Sequence, residues 1–469
     1  MPPSPRTRVL VIGLDSAVPR LVFERWRYLL HHLTWLRQAG VWGRLRSTIP
    51  PITVPAWMAM MTGKDPGQLG TYGFRNRAAH DYGPMILANS TNVTHPTLWN
   101  LLSRSRKRSV LIGVPQTYPP KPLNGILAAS FLTPNKQVVW TYPPAIGAEI
   151  DRIADGDYLI DVKDFRTHDK ARLLEQIHTM TRRRFRVVRE FLKTKPWDFF
   201  MFVEMGTDRM HHGFWRYSDP AHRRYERGHP LEHAIRDYYV SVDQEIGAIL
   251  DELPRDVHVL VVSDHGARAM DGEIALNEWL RREGELTLRD APVGPTPFRM
   301  EDVDWSRTRA WGEGGYYGRV FLNVKGREPQ GIVPQKDYER FRADLARRIA
   351  AIPDEQGRPI GTRVFKPEEV YREVRGVPPD LIVYFGDLSW RSAGIVGGDR
   401  IHLFDNDTGP DDANHDPDGM FILAGPKVPV GARGRELFGV SLYDIVPTVL
   451  TLYGIPVPEG LVGRPISMD

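Results

Sequence analysis

Short apolar runs alternate along this chain with longer segments in which apolar and polar positions follow a helical period. The runs are bounded by charged or turn-forming residues and are rich in β-branched side chains, and they lie at residues 9–14, 109–114, 197–204, 257–263, 381–385 and 420–424. Continuous apolar runs of this length are typical of parallel strands that are covered on both faces. We therefore predict that these runs are buried parallel strands.

The segments between the runs predict amphipathic helices at residues 21–39, 95–107, 173–195 and 231–252. The first of these has a wide apolar stripe and is followed by Gly40, a residue that often ends helices. A last helix is expected after Ser441, which with Asp444 forms a variant of the capping box. Because strand and helix alternate, we expect an α/β fold: a doubly wound, mostly parallel sheet flanked by helices.

Two stretches interrupt this alternation, residues 115–170 and residues 277–329. The first is rich in Pro, Gly and Asp, and the second begins with a short helix at 277–282 and then becomes irregular and aromatic. We expect a single domain over 1–469 in which both stretches are insertions over the catalytic face. The alternative is that they only cover the surface and have no role in substrate binding.

Composition narrows the possible functions. The chain has 469 residues, 41% of them apolar, a net charge of +4 and no cysteine, which excludes disulfides, thiolate metal ligands and a cysteine nucleophile. Basic residues are dispersed, so we expect no nucleic-acid polymer as partner. No window is long and apolar enough to span a bilayer, and the first apolar run is too short for a signal peptide. We expect a cytoplasmic protein that does not bind membranes; the oligomeric state is not indicated.

Carboxylate and imidazole side chains recur where the predicted strands end. Asp15 closes the first run, Asp208 and His212 follow the third, Asp264 and His265 follow the fourth, and His415 lies in an acidic loop far downstream. Each residue taken alone is more often structural than catalytic. Carboxylates and imidazoles that converge at the ends of neighbouring strands are, however, what a two-metal hydrolytic site requires.

His211 and His212 are adjacent, and their spacing from Asp208 indicates which of the two is the metal ligand. On a helix, Asp208 and His212 are four residues apart and present their side chains to the same point. We therefore predict that His212, rather than His211, is the metal ligand.

Thr53 is the candidate nucleophile. It precedes a short apolar helix predicted at residues 56–61 and stopped by Gly63, and Pro50, Pro51 and Pro55 stiffen the approach to it. A helix N-terminus favours an anion, but a threonine hydroxyl becomes a good nucleophile only when a base or a metal activates it. The alternative is that Thr53 is simply the N-cap of this helix.

These motifs together resemble the alkaline phosphatase superfamily, and within it the cytosolic members of the type I phosphodiesterase and nucleotide pyrophosphatase branch. The resemblance covers nearly the whole chain in the expected order, and it rests on Asp15, the stretch from Thr53 to Gly63, Asp208 with His212, Ser263-Asp264-His265-Gly266, His415 and Asp444-Ile-Val-Pro-Thr448. It implies an alkaline phosphatase-like fold. It also implies two divalent ions, zinc expected and manganese the alternative, with Asp208, His212 and His415 at one and Asp15, Asp264, His265 and the Thr53 oxygen at the other.

The same resemblance implies hydrolysis of a phosphodiester or nucleotide pyrophosphate bond through a phospho-threonine, on a small phosphorylated substrate such as a nucleotide. It places a phosphoryl-binding asparagine downstream of the nucleophile; Asn76 is our choice, with Arg75 the alternative. A phosphomonoesterase or a phosphomutase with the same two-metal core remains open, as does a scaffold that binds phosphorylated ligands without turnover. Because the sequence shows no assured cationic clamp, we expect diesters to be preferred over monoesters, with the aromatic segment 311–317 as a stacking surface for a nucleoside or aryl group.

Overall fold

The computed structural model describes residues 7–468. The strands in this range are β1 Arg8–Leu14, β2 Gly40–Arg46, β3 Arg75–Asn76, β4 Ile86–Leu87, β5 Ser109–Val114, β6 Gly125–Ala129, β7 Thr141–Tyr142, β8 Phe199–Glu204, β9 Val257–Val262, β10 Gly266–Ala269, β11 Gly272–Ala275, β12 Thr296–Pro297, β13 Ala310–Glu313, β14 Gly318–Leu322, β15 Arg363–Phe365, β16 Leu381–Tyr384, β17 Trp390–Ala393, β18 Ile395–Val396, β19 His402–Leu403, β20 Ala413–Asp416 and β21 Asp418–Ala424.

The α-helices in the same range are α1 His31–Ala39, α2 Thr53–Thr62, α3 Pro66–Leu69, α4 Leu98–Arg104, α5 Ile146–Ile153, α6 Lys170–Thr194, α7 Gly206–Ser218, α8 Ala234–Glu252, α9 Leu276–Arg282, α10 Tyr338–Ala350, α11 Pro367–Val370 and α12 Ile445–Tyr453. None of the helices in residues 7–468 is both long and apolar enough to cross a lipid bilayer.

An eight-stranded sheet forms the centre of the molecule, with the strand order β2-β21-β9-β1-β8-β5-β6-β7. The five strands β9, β1, β8, β5 and β6 run parallel to one another. β1, β5, β8 and β9 are almost entirely buried because helices cover the sheet, which is why their sequences are continuous apolar runs. The predicted α/β fold with a mostly parallel central sheet is confirmed.

Two of the predicted parallel strands are placed differently. β21 lies in the central sheet but runs antiparallel to β9 and to β2. β16 does not belong to the central sheet at all; it lies in a four-stranded antiparallel sheet of order β13-β14-β16-β15. An apolar run predicts burial on both faces, but direction and partner depend on where the chain returns to the sheet.

The helix predicted at residues 21–39 is broken. Residues Arg20–Arg25 form a π-helical turn, and α1 begins only at His31. The carboxylate of Asp243, on α8, accepts hydrogen bonds from the backbone N–H groups of His32 and Leu33 at 3.1 and 2.8 Å. A cap supplied from another helix satisfies free N–H groups at the start of α1, so the chain starts a new helix there.

The second sheet has its own apolar core, which includes Trp311, Phe321 and Val383 and is separate from the core around the central sheet. The segment predicted as the second insertion, 277–329, supplies β13 and β14, whereas β15, β16 and α10 come from later residues. The first predicted insertion, 115–170, contributes β6 and β7 to the edge of the central sheet. The exact limits of both insertions, and the single-domain description, stay predictions.

Candidate active site

The strand order brings the predicted site residues to one edge of the central sheet. β9, β1 and β8 are adjacent and parallel, so their carboxyl ends meet. Asp15 follows β1 directly, Asp208 lies in the first turn of α7 after β8, and Asp264 and His265 follow β9. All four side chains are buried.

His415 arrives from another part of the fold. It lies in β20, which pairs with β10 so that His415 stands opposite Ala267, just after Asp264 and His265. The His415 and His265 rings stack with their centroids 3.8 Å apart. The acidic loop expected around His415 is therefore a short strand, and its pairing with β10 brings this imidazole to the cluster.

Thr53 is the first residue of α2, and Ile52 holds the N-cap position. The Thr53 side chain makes no capping hydrogen bond; its Oγ1 lies 3.2 Å from Nε2 of His265. The helix ends at Gly63, whose φ of 66° is a left-handed conformation that glycine adopts without strain. The Thr53 hydroxyl thus points to the cluster. The N-cap alternative would require it to accept a hydrogen bond from a backbone N–H group of α2, which it does not.

Trp57, one turn along α2, links this helix to β1. Its indole N–H donates to Oδ2 of Asp15 at 2.7 Å. A Cβ atom at Gly13 would lie 2.6 Å from the Trp57 ring, so only glycine in β1 lets the indole approach this closely. The contact fixes one Asp15 oxygen and leaves Oδ1 without a hydrogen-bond partner.

The three clustered imidazoles are held in the same way. Nδ1 of His212 contacts Oδ1 of Asp411 at 2.7 Å, Nδ1 of His265 contacts the Gly266 carbonyl at 2.9 Å, and Nδ1 of His415 contacts the Pro51 carbonyl at 2.7 Å. Each acceptor requires a hydrogen on Nδ1, so a neutral ring directs the Nε2 lone pair into the cluster. This is the orientation that metal-binding histidines receive from their hydrogen-bond partners.

The cluster also contains carboxylate oxygens that lack hydrogen-bond donors. Oδ1 of Asp15, Oδ1 of Asp208 and Oδ2 of Asp264 are buried without a hydrogen-bond partner. Nε2 of His212 lies 3.2 Å from Oδ1 of Asp208, and Nε2 of His265 lies 3.2 Å from Oδ2 of Asp264. When Nδ1 carries the hydrogen, each of these contacts joins two electron-pair donors, an arrangement that a shared cation would stabilise.

Two sets of donor atoms each lie within 4.8 Å of one another: those of Asp208, His212 and His415, and those of Asp15, Asp208 and His265. Asp208 belongs to both sets, so the two candidate positions are neighbours. The donors are imidazole nitrogens and carboxylate oxygens without thiolate, a set that suits zinc and manganese. The residues present therefore fit a pair of divalent cations.

The electrostatics of the cluster agree with this fit. Burial, with the nearby Asp208, raises the pKa of the Asp15 carboxyl well above its ordinary value, and burial together with Asp15 does the same for the pKa of Asp264. Burial lowers the pKa of His265 to about 4, and burial and the adjacent imidazoles lower the pKa of His415. Neutral imidazoles are the form that binds a metal, and a bound cation would also favour the ionised form of the two carboxylates.

His211 lies outside the cluster. Its Nδ1 is 3.3 Å from Oγ of Ser16 and its Nε2 is 3.1 Å from the hydroxyl of Tyr239, so both ring nitrogens have other partners. Burial lowers the pKa of His211 to about 3. The geometry places His212, not its neighbour, against Asp208.

Asp411 was not singled out from the sequence, where it is one of several acidic residues near His415. Its Oδ1 contacts His212, and its Oδ2 accepts hydrogen bonds from Nε of Arg166 and from the Tyr316 hydroxyl, both at 3.0 Å. The Tyr316 ring stacks on His212 and on His415, with centroids 4.9 and 4.4 Å apart. The only signal in the sequence was the position of Asp411 four residues before His415.

The structure does not bring Asn76 to the cluster. Oδ1 of Asn76 accepts a hydrogen bond from the Tyr72 backbone N–H at 2.8 Å, and Nδ2 donates to the Gly73 carbonyl at 3.0 Å. The amide therefore closes its own loop, and the phosphoryl-binding role predicted for Asn76 has no support in this geometry. Arg75, the alternative, has an exposed side chain that lines the cavity above the cluster.

This cavity has a volume of about 480 Å³. Thr53, Asp208, His212 and His415 line it at the cluster. Both interrupting stretches contribute to its walls, the first with Phe131, Asp161, Val162, Phe165 and Arg166 and the second with Glu313, Gly314, Gly315, Tyr316, Tyr317 and Arg319. Both stretches therefore reach the cavity above the cluster, and their role in substrate binding stays a prediction.

The aromatic segment predicted to stack on a substrate divides in two. Tyr316 and Tyr317 line the cavity, whereas Trp311 is fully buried in the second core, with its ring centroid 5.5 Å from that of Phe321. The expectation was wrong for Trp311. Strand β13 ends at Glu313, between Trp311 and Tyr316, and the aromatic pattern of the sequence does not mark where this strand ends.

A sequence model of the type I phosphodiesterase / nucleotide pyrophosphatase family matches residues 9–411 of the chain. No curated protein sequence matches this chain. Among solved structures, human ectonucleotide pyrophosphatase/phosphodiesterase 5 is similar with a TM-score of 0.57 and 13% identity, over 98% of this chain and 97% of that one. An inactive form of the murine protein in complex with AMP has a TM-score of 0.56 and 14% identity, over 98% and 97%.

Phosphonoacetate hydrolase from Sinorhizobium meliloti, in complex with phosphonoformate, has a TM-score of 0.58 and 14% identity, over 95% of each chain. At these identities the solved structures establish the fold, while the sequence match over most of the chain establishes the family. The chain belongs to the type I phosphodiesterase / nucleotide pyrophosphatase family of the alkaline phosphatase superfamily and is a hydrolase of that type.

Proposed function

We propose that this protein is a metal-dependent hydrolase that cleaves phosphodiester or nucleotide pyrophosphate bonds through a covalent intermediate on Thr53. The observation that carries the proposal is the position of the Thr53 hydroxyl, which lies at the start of α2, lines the cavity and is 3.2 Å from Nε2 of His265. The family match supports phosphoester hydrolysis. The AMP complex of the murine relative favours a nucleotide-like substrate.

The proposed ligands are Asp208, His212 and His415 for one cation, and Asp15, Asp264, His265 and Thr53 for the other. Two divalent cations bound there would lower the pKa of the Thr53 hydroxyl and neutralise charge on the phosphoryl group and on the leaving oxygen. Zinc is the expected ion, with manganese the alternative.

In the first step, Thr53 Oγ1 loses its proton to solvent and forms a bond to phosphorus while the bond from phosphorus to the leaving oxygen breaks, and the leaving group takes the electron pair. In the second step, a water molecule loses a proton to solvent as its oxygen attacks phosphorus, the bond to Oγ1 breaks, and Oγ1 takes up a proton, which restores the Thr53 hydroxyl. The backbone N–H groups at the start of α2, where Thr53 lies, would favour the negative charge that develops on the phosphoryl oxygens.

The intermediate provides the test. Protein mixed with bis(4-nitrophenyl) phosphate and quenched in acid should carry one 4-nitrophenylphosphoryl group, which intact mass and peptide mapping should locate at Thr53. Rapid mixing should show a burst of nitrophenolate if the second step is slower. Steady turnover without any adduct, under conditions where a burst is seen, would contradict the covalent route.

A phosphomonoesterase is the second candidate, and one observation favours it. The sequence showed no assured cationic clamp, yet Arg75 and Arg319, which form no ion pair within residues 7–468, line the cavity. A monoester dianion needs more positive charge than a diester. A preference of tenfold or more in kcat/KM for 4-nitrophenyl phosphate over bis(4-nitrophenyl) phosphate would identify a monoesterase.

The cytoplasmic location stays a prediction of the sequence.

A further inference from the structure

We propose that Arg75 and Arg319 form a second anion subsite in the cavity, which binds a carboxylate or phosphate of the substrate other than the phosphoryl group that reacts at Thr53. The proposal rests on the proposed function and specifies its substrate class: a phosphodiester or pyrophosphate that carries a further anionic group. Both arginines line the same cavity as Thr53.

The other arginines of the cavity already have carboxylate partners. Nε of Arg166 donates to Asp411 at 3.0 Å. The guanidinium of Arg209 donates to Asp161 and, at 2.8 Å, to Asp208, and that of Arg391 lies 3.1 Å from Glu273. Their charges are compensated within the protein, so they are weak candidates for holding a ligand.

Arg319 differs from these three. Its side chain is buried, with 7% of the residue exposed, and Nη1 donates to the backbone carbonyl of Arg75. Nε is buried without a hydrogen-bond partner, and within residues 7–468 the guanidinium forms no ion pair, even though Glu313 is its cross-strand neighbour. A buried guanidinium without a counter-charge is costly, and a bound anion would offset that cost.

Arg75 adds a second positive charge at the same wall. Its carbonyl is the one that Arg319 contacts, its side chain is exposed, and it too forms no ion pair within the described residues. The Arg319 guanidinium lies 5.8 Å from the centre of the Tyr317 ring, which limits its orientations. Two arginines that line one cavity without carboxylate partners among residues 7–468 suit the paired oxygens of a carboxylate or a phosphate.

Matched substrates test the subsite. Three diesters share the 4-nitrophenyl leaving group and differ only at the para position of the second ring: 4-carboxyphenyl, 4-phosphonophenyl and the neutral 4-carbamoylphenyl. We expect kcat/KM for a charged ester to exceed that for the carbamoyl ester at least tenfold. The carboxylate and phosphonate arms show which anion the subsite prefers, and a preference for either supports it.

Variants assign the effect to the two arginines. Arg319→Gln and Arg75→Gln should each bring the ratio of charged to neutral ester towards one, mainly through KM, and Arg319→Lys should retain part of it. Arg299→Gln is the control, because Arg299 is an arginine 63% exposed in its side chain that does not line the cavity. Thermal unfolding checks that each variant folds; if Arg319→Gln does not, the exposed Arg75 carries the test.

Two results would overturn the subsite. One is a parent enzyme that hydrolyses charged and neutral esters within twofold of each other. The other is an equal loss on all three esters and on 4-nitrophenyl phosphate in the variants, which would place the arginines at the reacting phosphoryl group.

Binding separates this proposal from the proposed function. If bis(4-nitrophenyl) phosphate is not hydrolysed at all, the catalytic proposal fails, and calorimetry still tests the subsite. The protein should then bind 4-carboxyphenylphosphonate at least tenfold more tightly than 4-carbamoylphenylphosphonate, and Arg319→Gln should remove the difference. Equal affinities would overturn the subsite.

Discussion

Nδ1 of His212 and Oδ1 of Asp411 lie 2.7 Å apart, and both side chains are buried. Although burial opposes it, the ionised carboxylate raises the pKa of His212, and the imidazole in turn lowers the pKa of Asp411. The contact fixes the ring so that Nε2 faces Asp208. Asp411 is therefore a positioning residue for one of the proposed metal ligands.

Removing the charge of Asp411 should weaken metal binding without removing a ligand. Asp411→Asn is expected to lower metal affinity about 10- to 100-fold, the usual cost of losing a carboxylate partner of a ligating histidine. Competition with a chromophoric chelator measures it, and added metal should restore part of the activity. Asp405→Asn, at a carboxylate whose side chain is 95% exposed, is the control. Unchanged affinity in Asp411→Asn would show that the contact is not coupled to metal binding.

The carboxylates of Asp15, Asp208 and Asp264 predict two divalent ions per chain. Elemental analysis of active protein should find two, with zinc the expected element. Because their unpaired oxygens are buried together, removal of metal with a chelator should abolish activity and lower the melting temperature. One tightly bound ion or none in fully active protein would contradict the two-metal site.

Substitution of the adjacent histidines should have different consequences. His212→Ala is expected to lose metal and nearly all activity, because it removes a proposed ligand. His211→Ala should keep both ions while the stability of the protein falls by about 1–3 kcal/mol, because Ser16 and Tyr239 each lose one buried hydrogen-bond partner. Metal content, kcat/KM and melting temperature measured on the same samples distinguish the two. Equal loss of metal would refute the assignment of His212.

Thr53→Ala should remove the nucleophile and leave the fold intact. Turnover should fall by about a thousandfold or more, while much of the metal is retained, and Thr53→Ser should preserve a substantial part of the rate. Thr62→Ala is the matched control: Thr62 is a buried threonine at the other end of α2 whose hydroxyl donates to the Met58 carbonyl at 2.7 Å. If Thr53→Ala keeps activity within tenfold of the parent, covalent catalysis by this residue is refuted.

Much of the fold follows from local pattern. The runs at β1, β5, β8 and β9 were predicted almost to the residue, because burial on both faces leaves a continuous apolar stretch in the sequence. Asp15, Asp208 and Asp264 were likewise marked by their positions where these strands end. Their roles as ligands stay a prediction, but the structure brings all three to one edge of the sheet.

Tertiary contacts decided the rest. The antiparallel direction of β21, the placement of β16 in a second sheet and the separate start of α1 depend on partners far away in the chain. The hydrogen bonds that hold the Asn76 amide within its own loop also depend on the folded structure. The same is true of the difference between Arg319 and the arginines that have carboxylate partners. From the sequence alone, an apolar run can be predicted to be buried and an arginine to be charged, but the residues that each contacts cannot be predicted. The partner of each depends on how the whole chain packs, because the contact free energies that select the partner come from residues far apart in sequence.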